Sequence, residues 1–179
     1  MAGTLTVQNL QGPSSGANAN KIIVPSGQTL DASAGTLVPS AGVPVNTHRV
    51  VCNASVTLST SGWTNVPSGS FSYTPKYSNS LLYIENIQHA YVSQTGWESV
   101  AVRTLVDGTK VSDDPVNSSY YGFAIYNDRA MGYAVDTAEY TCTSSSAVTI
   151  TAQVLSLQGT GPQVNQYGLG HVKVTEIAQ

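Results

Sequence analysis

The residues of this chain best suited to binding chemistry are its aromatic side chains. Of ten tyrosines and two tryptophans, Trp63 and Trp97 fall in the turn-rich stretches "SGWTNVPSG" and "SQTGWES", and Tyr120 and Tyr121 open a strand-like run just after "DDPVNSS". An exposed ring stacks on the apolar C–H face of a sugar, while the Asn, Gln, Ser and Asp groups around it reach the hydroxyls. Trp63, Trp97, Tyr120 and Tyr121 are therefore the candidate glycan platform. The same rings would equally cap a sandwich or fill a subunit contact, where Tyr and Trp are enriched, and that use is the commoner one.

Other chemistries find fewer footholds. Asp113 and Asp114 are adjacent carboxylates among hydroxyl and amide neighbours in "KVSDDPVNSSYY", the oxygen-rich setting a hard cation such as Ca²⁺ takes. Neighbouring side chains in a turn point apart, however, and Asp before Pro115 is ordinary turn chemistry; the pair stays a candidate only, and no cofactor is expected. His48, His89 and His171 lie in three separate strand-like runs without carboxylates at ligand spacing, so each reads as a strand residue. With no Gly-x-Ser-x-Gly elbow, phosphate-binding loop or His-Glu-x-x-His in the sequence, no enzymatic activity is expected. Cys52 and Cys142 are too few and too far apart for a zinc pattern. Cys52 reads as a buried free thiol, with a Cys52–Cys142 bridge as the alternative.

Side chains in such roles need elements to hold them, and the periodicity is almost wholly two-residue. "AVTITAQVLS" (147–156) sets Val148, Ile150, Ala152 and Val154 against Thr149, Thr151 and Gln153; "RVVCNASVTLS" (49–59) puts Val50, Cys52, Ala54, Val56 and Leu58 on one face. Further β-rich runs are "SFSYTP" (70–75), "LLYIENIQHAYV" (81–92), "ESVAVRTLV" (98–106), "YYGFAIYN" (120–127), "AMGYAV" (130–135), "TAEYTCTS" (137–144) and "GHVKVTEIA" (170–178). Turn chemistry such as "KYSNS", "VDGTK" and "QGTGPQ" separates them. About seven or eight short strands at this spacing predict an all-β fold, an antiparallel β-sandwich or jelly roll, over residues 46–179.

Charge narrows the partners. Charged residues make up 9% of the chain against a typical value of about 25%. Seven Lys and Arg against ten Asp and Glu, scattered singly, leave no basic stripe, so nucleic acid is not an expected partner. No stretch approaches the roughly 18 apolar residues of a membrane span, and the N-terminus lacks the basic start and apolar run of an export signal. Neither membrane insertion nor export is expected.

Residues 1–45 differ from the rest, with no aromatic residue and two charged ones, Lys21 and Asp31. Val-Pro-Ser recurs at Val24-Pro25-Ser26 and Val38-Pro39-Ser40, separated by turn-forming glycines. Such short apolar pieces cannot close a core within one chain, whereas copies side by side can bury Ile22, Val24, Leu30 and Leu37 against one another. An extended, β-rich arm for oligomerisation and anchoring is the expectation for residues 1–45, with the sandwich head at 46–179.

The run "GTLTVQNLQGPSSGANANKIIVPSGQTLDASAGTLVPSAG" (3–42) closely resembles the opening of tail-fibre-like virion proteins of marine bacteriophages, notably cyanophages. The later pattern is similar too: "SFSYTPKYSNSLLYIENIQHAYV", then "YYGFAIYNDRAMG", a Thr-rich strand, and the ending "HVKVTEIAQ" with its acidic-Ile pair Glu176-Ile177. The resemblance implies a virion structural protein, assembled in the host cytoplasm, trimeric as many fibres are, with a β-rich stem and a terminal sandwich. The arm would join other virion proteins and the head would project, on the tail or the capsid. A host-recognition module reading a surface glycan, or a capsid decoration protein, are the alternatives. Fibres of that family are much longer, and this chain has no extended shaft.

Overall fold

The computed structural model describes residues 14–16, 26, 39–59, 62–92, 97–112, 123–126, 130–158 and 161–179, and at 97, 123–126, 130 and 158 the backbone alone. The chain divides into two units, Met1–Val38 and Pro39–Gln179, and every described strand belongs to the second. The strands are β1 (Pro44–Cys52), β2 (Val56–Thr57), β3 (Thr64–Tyr73), β4 (Leu81–Val92), β5 (Trp97–Val106), β6 (Thr109–Lys110), β7 (Phe123–Tyr126), β8 (Ala130–Thr141), β9 (Val148–Gln158), β10 (Gln163–Val164) and β11 (Gly170–Ile177).

All pairings are antiparallel and fall into two sheets. In sheet one, β4 pairs with β8 along one side; along the other it pairs with β11 over Leu81–Ile87 and with β10 over Ala90–Tyr91. β1 then pairs with β11, and β2 with β10. Both partners of this outer ribbon are interrupted together, β1/β2 at residues 53–55 and β10/β11 at 165–169. In sheet two the order is β3, β9, β5, with β7 and β6 sharing the far side of β5. Taking β1/β2 and β10/β11 as one strand each and leaving aside the two-residue β6, first pairs with last, second with seventh, third with sixth and fourth with fifth. That nesting of antiparallel pairs across two sheets is a jelly roll, as the alternation and turn spacing led one to expect.

The inward faces make one core. Leu82, Ile84, Ala90, Val172, Val174, Ala134 and Cys52 from sheet one meet Val66, Val100, Val102, Val106, Ile150, Ala152 and Val154 from sheet two. The face assignments from the sequence hold for Val148, Ile150, Ala152, Val154, Cys52 and Leu58, all buried, while Val50, Ala54 and Val56 are half-buried where β1 breaks before β2. Cys52 and Cys142 are buried free thiols, and burial raises the pKa of both above the ordinary cysteine value.

Three local readings need correction. The runs at 130–135 and 137–144 are one strand, β8, because Asp136 turns inward to a partner instead of breaking the strand. Trp97 is not in a loop: it opens β5, opposite Tyr126. β3 starts at Thr64, ahead of "SFSYTP", since Pro67 sits in a bulge rather than in a turn before the strand. Between Asn65↔Gln153 and Ser70↔Thr151 four residues of β3 face one of β9, with Ser68 at φ 61. Gly69 closes this bulge where a Cβ would lie 2.9 Å from that of Val66 and 3.2 Å from that of Ala152.

Candidate functional site

Among the sequence candidates, Trp63 alone has its side chain described. It stands half-buried immediately before β3, and the Arg103 guanidinium lies 4.3 Å from its ring centroid. β3, β9 and β5 run side by side here, and their register sets Asn65, Gln153 and Arg103 in one cross-strand row. Alternation turns all three outward, since Thr64, Val154 and Val102, the next row, belong to the inward phase. Arg103 Nε donates to Gln153 Oε1 at 2.8 Å, and Gln153 Nε2 donates to Asn65 Oδ1 at 2.8 Å. Two residues along, the Ser70 and Thr151 hydroxyls are 3.0 Å apart.

The result is a flat polar shelf with an indole at one end. Mutual hydrogen bonding holds the Arg, Gln and Asn side chains in fixed orientations, which lowers the entropy lost when they engage a ligand. The guanidinium over the indole adds a cation–π contact that holds Trp63 and Arg103 together. Such a surface offers ring stacking beside fixed amide groups, the combination a sugar requires.

The other candidates are distributed differently. The side chains of Trp97, Tyr120 and Tyr121, the carboxylates Asp113 and Asp114, and the arm residues Ile22, Val24, Leu30 and Leu37 lie outside the described residues. No group of three or more His, Cys, Asp or Glu suited to a metal occurs among the described residues, and no helix among them is long and apolar enough to cross a membrane. Arg103, Gln153 and Asn65 were missed in the sequence. Alternation marks them as outward-facing, but only the register, which the bulge at Val66–Gly69 shifts, aligns them.

Two buried polar systems lie inside the sandwich. Glu176, fully buried at the end of β11, accepts hydrogen bonds at Oε2 from the Tyr73 hydroxyl (2.8 Å) and at Oε1 from Lys76 N (2.8 Å), Tyr77 N (3.1 Å) and Ser80 Oγ (2.8 Å). Burial pushes its carboxyl up, but the donors from Lys76, Tyr73, Ser80 and Tyr77 outweigh this and hold it below the ordinary glutamate value. Burial first, and then the Glu176 hydrogen bond, raise Tyr73 well above the ordinary tyrosine value. One carboxylate thus fastens the "TPKYSNS" connection between β3 and β4 to the last strand. Two segments about a hundred residues apart in the sequence are thereby joined in one structural unit.

The second system crosses the core. Asn86 Nδ2 reaches Arg103 O of the facing sheet at 3.0 Å, Thr104 Oγ1 donates to Asp136 Oδ2 at 2.7 Å, and Gln88 Nε2 donates to Asn86 Oδ1 at 2.8 Å. Asn165 donates to Gln88 Oε1 at 2.8 Å and accepts from His89 N at 3.1 Å, bridging the interruption between β10 and β11. Gly170 has no room for a Cβ beside Gln88 Oε1 and the Asn165 side chain. These groups satisfy one another, as buried polar atoms must, and their geometry fixes the register of the two sheets.

Topology and polar shelf together define a jelly-roll protein with an aromatic, amide-lined outer face on its second sheet. No family model and no curated protein matches the sequence, so comparison adds no sequence support for a marine-phage origin. Among solved structures, a mutant VP2 protein of infectious bursal disease virus, from derived T=1 particles, is similar, with a TM-score of 0.35 and 11% identity over 93% of this chain. The chain spans 44% of that protein. A likeness of this degree carries nothing about assembly or host to the present chain.

Proposed function

We propose that the protein is a non-enzymatic structural component of a bacteriophage virion, tail-fibre-like, built from several copies whose jelly-roll heads project from the particle. The observation that carries this reading is the two-part build: a self-contained jelly roll, preceded by a charge-poor segment whose sequence resembles the opening of marine-phage fibre proteins. Jelly rolls serve repeatedly as capsid and lectin domains, which is support by analogy of fold. Residues 1–45 would join the head to neighbouring virion proteins, on the tail or as a capsid decoration, and neither nucleic acid nor membrane would be a partner. Deleting residues 1–42 tests it: the head should stay folded, because every described strand begins at Pro44 or later, while incorporation into particles should be lost. Truncated protein that still enters particles at the full-length level would overturn the proposal.

A second reading, host recognition through a surface glycan, is favoured by the Trp63–Arg103–Gln153–Asn65 row. Trp63→Ala should then lower binding of purified protein to host envelope polysaccharide about tenfold, the effect of losing one stacking anchor. Unchanged binding, or none by the unaltered chain, sinks this reading and leaves the first untouched.

A further inference from the structure

The outer face of sheet one has a different character. Met131, Tyr133, Val135, Tyr167, Leu169 and Val51 are between 41% and 59% exposed. The register shows why they form one patch. Val51, His171, Ile87 and Val135 make an unbroken row across β1, β11, β4 and β8, with His89–Tyr133 and Tyr91–Met131 as the next rows along β4 and β8. Tyr133 packs edge-on against His89, with centroids 5.5 Å apart, and Tyr167 edge-on against Tyr91 at 4.7 Å. Gly168, whose Cβ would strike the His89 ring, lets the connection carrying Tyr167 and Leu169 lie flat on the sheet.

We infer that this face packs against a second copy of the same chain. It rests on the part of the proposed function that has the protein work as several copies, and it places their contact on the head. Together the six side chains form one exposed, mostly apolar patch, the kind of surface that marks an interaction site when its members are contiguous. The patch itself is made of rings and aliphatic chains, with its polar groups, the Lys173–Glu85 pair and Arg49, set in the next row, which suits a protein contact with an apolar centre and a polar rim better than a sugar.

Charge identifies the partner as a copy. Below the patch, exposed Arg49 lies on the β1 edge and exposed Glu139 on the β8 edge of the same face, and neither has an ion-pair partner among the described residues. A symmetry axis running along the strands brings the β1 edge of one copy against the β8 edge of the next, so opposite charges meet. β8 is also the less protected edge. It pairs with β4 over all twelve residues without a bulge, whereas β1 opens with a proline and an irregularity between Pro44 and Asn46, devices that keep edges from pairing.

Sedimentation velocity of the full chain over a dilution series tests the inference. Tyr133→Glu and, because Tyr133 covers His89, also Met131→Lys should raise the half-dissociation concentration about tenfold or more, as expected for a central interface anchor. Thr151→Glu on the opposite face should leave it unchanged. Arg49→Glu should weaken association by a few-fold, as rim pairs do, and Arg49→Glu combined with Glu139→Arg should restore it, a rescue that only contact with a copy allows. A wild-type chain that is monomeric throughout overturns both this face and the multi-copy reading. An oligomer indifferent to folded Tyr133→Glu and Met131→Lys variants overturns the face alone and leaves association to residues 1–45.

Discussion

The outer faces of the two sheets come from the same alternation of strand residues, yet they carry different chemistry. On sheet two the cross-strand row is Asn65–Gln153–Arg103, three polar side chains hydrogen-bonded to one another, with Trp63 lying against the last. On sheet one the corresponding row is Val51–His171–Ile87–Val135, flanked by exposed Tyr133 and Met131. The polar row is compatible with water as it stands. Each square ångström of the apolar side chains around the other row that is still exposed would gain about 25 cal/mol on leaving water. A jelly roll has two broad faces to present, and here one is polar and hydrogen-bonded within itself while the other exposes rings and aliphatic chains.

The comparison depends first on sheet two having its faces assigned correctly, and one pair of substitutions breaks it if they are not. Ile150 is fully buried between the sheets and Thr151 is on the shelf side, 3.0 Å from Ser70. Ile150→Asp should abolish folding, a cost above about 4 kcal/mol, because it buries an unpaired carboxylate and removes core volume. Thr151→Asp should cost about 0.5 kcal/mol in urea unfolding, the scale of an exposed change. Comparable losses from the two would mean that the shelf is not an outer surface.

The next effect concerns the frame that holds both faces in place, since Glu176 ties the connection from sheet two to sheet one onto β11. Its folded pKa is depressed, so its stabilisation is complete above the ordinary glutamate value of about 4.3 and drains away as the pH falls from there through the lower folded value. Glu176→Gln keeps an acceptor toward Lys76, Tyr77 and Ser80 but points donors at the Tyr73 hydroxyl, which already receives Asn46 Nδ2. A loss of about 2 kcal/mol at pH 7 is expected, the scale of a hydrogen bond to a charged group, together with a shallower decline of stability below pH 4. Wild type and Glu176→Gln declining in parallel on acidification would show that another carboxylate controls the acid limb.

Much of the fold was legible because alternation is a local property. "AVTITAQVLS" marks β9 with its faces and "LLYIENIQHAYV" marks β4 as a strand, and two-residue periodicity without helical patterning points to a sandwich or jelly roll. Register is not local. Nothing near Asn65 says that it stands opposite Gln153, because that depends on a bulge at Val66–Gly69 that absorbs three extra residues. For the same reason Asn86 and Gln88 in β4 read as departures from an apolar phase, although partners across the core and at the break before β11 satisfy them. The exposed patch of sheet one is not legible locally, because Met131, Tyr133 and Val135 look like core residues in a short strand. Only the pairing of β8 with β4 over its full length shows that they face outward on an edge.

Arg103 lets stacking be separated from charge on the polar face. Arg103→Lys keeps the positive charge but removes the planar fork that both covers Trp63 and donates from Nε to Gln153. Stability should fall by only about 0.5–1 kcal/mol, the worth of a partly exposed cation–π contact, measured by urea unfolding with an unchanged slope. If the shelf reads a sugar, affinity for host envelope polysaccharide should fall further than stability does, because Gln153 and Asn65 lose the anchor that orients them, and Trp63→Ala combined with Arg103→Lys should lose less than the two separate effects added together, since both disturb one stacked unit. Self-association, which belongs to the other face, should stay at its wild-type concentration. A folded Arg103→Lys variant that dissociates more readily, with sugar binding intact or absent, would show that the two faces do not divide the work in this way, and that the polar shelf too is a contact between copies.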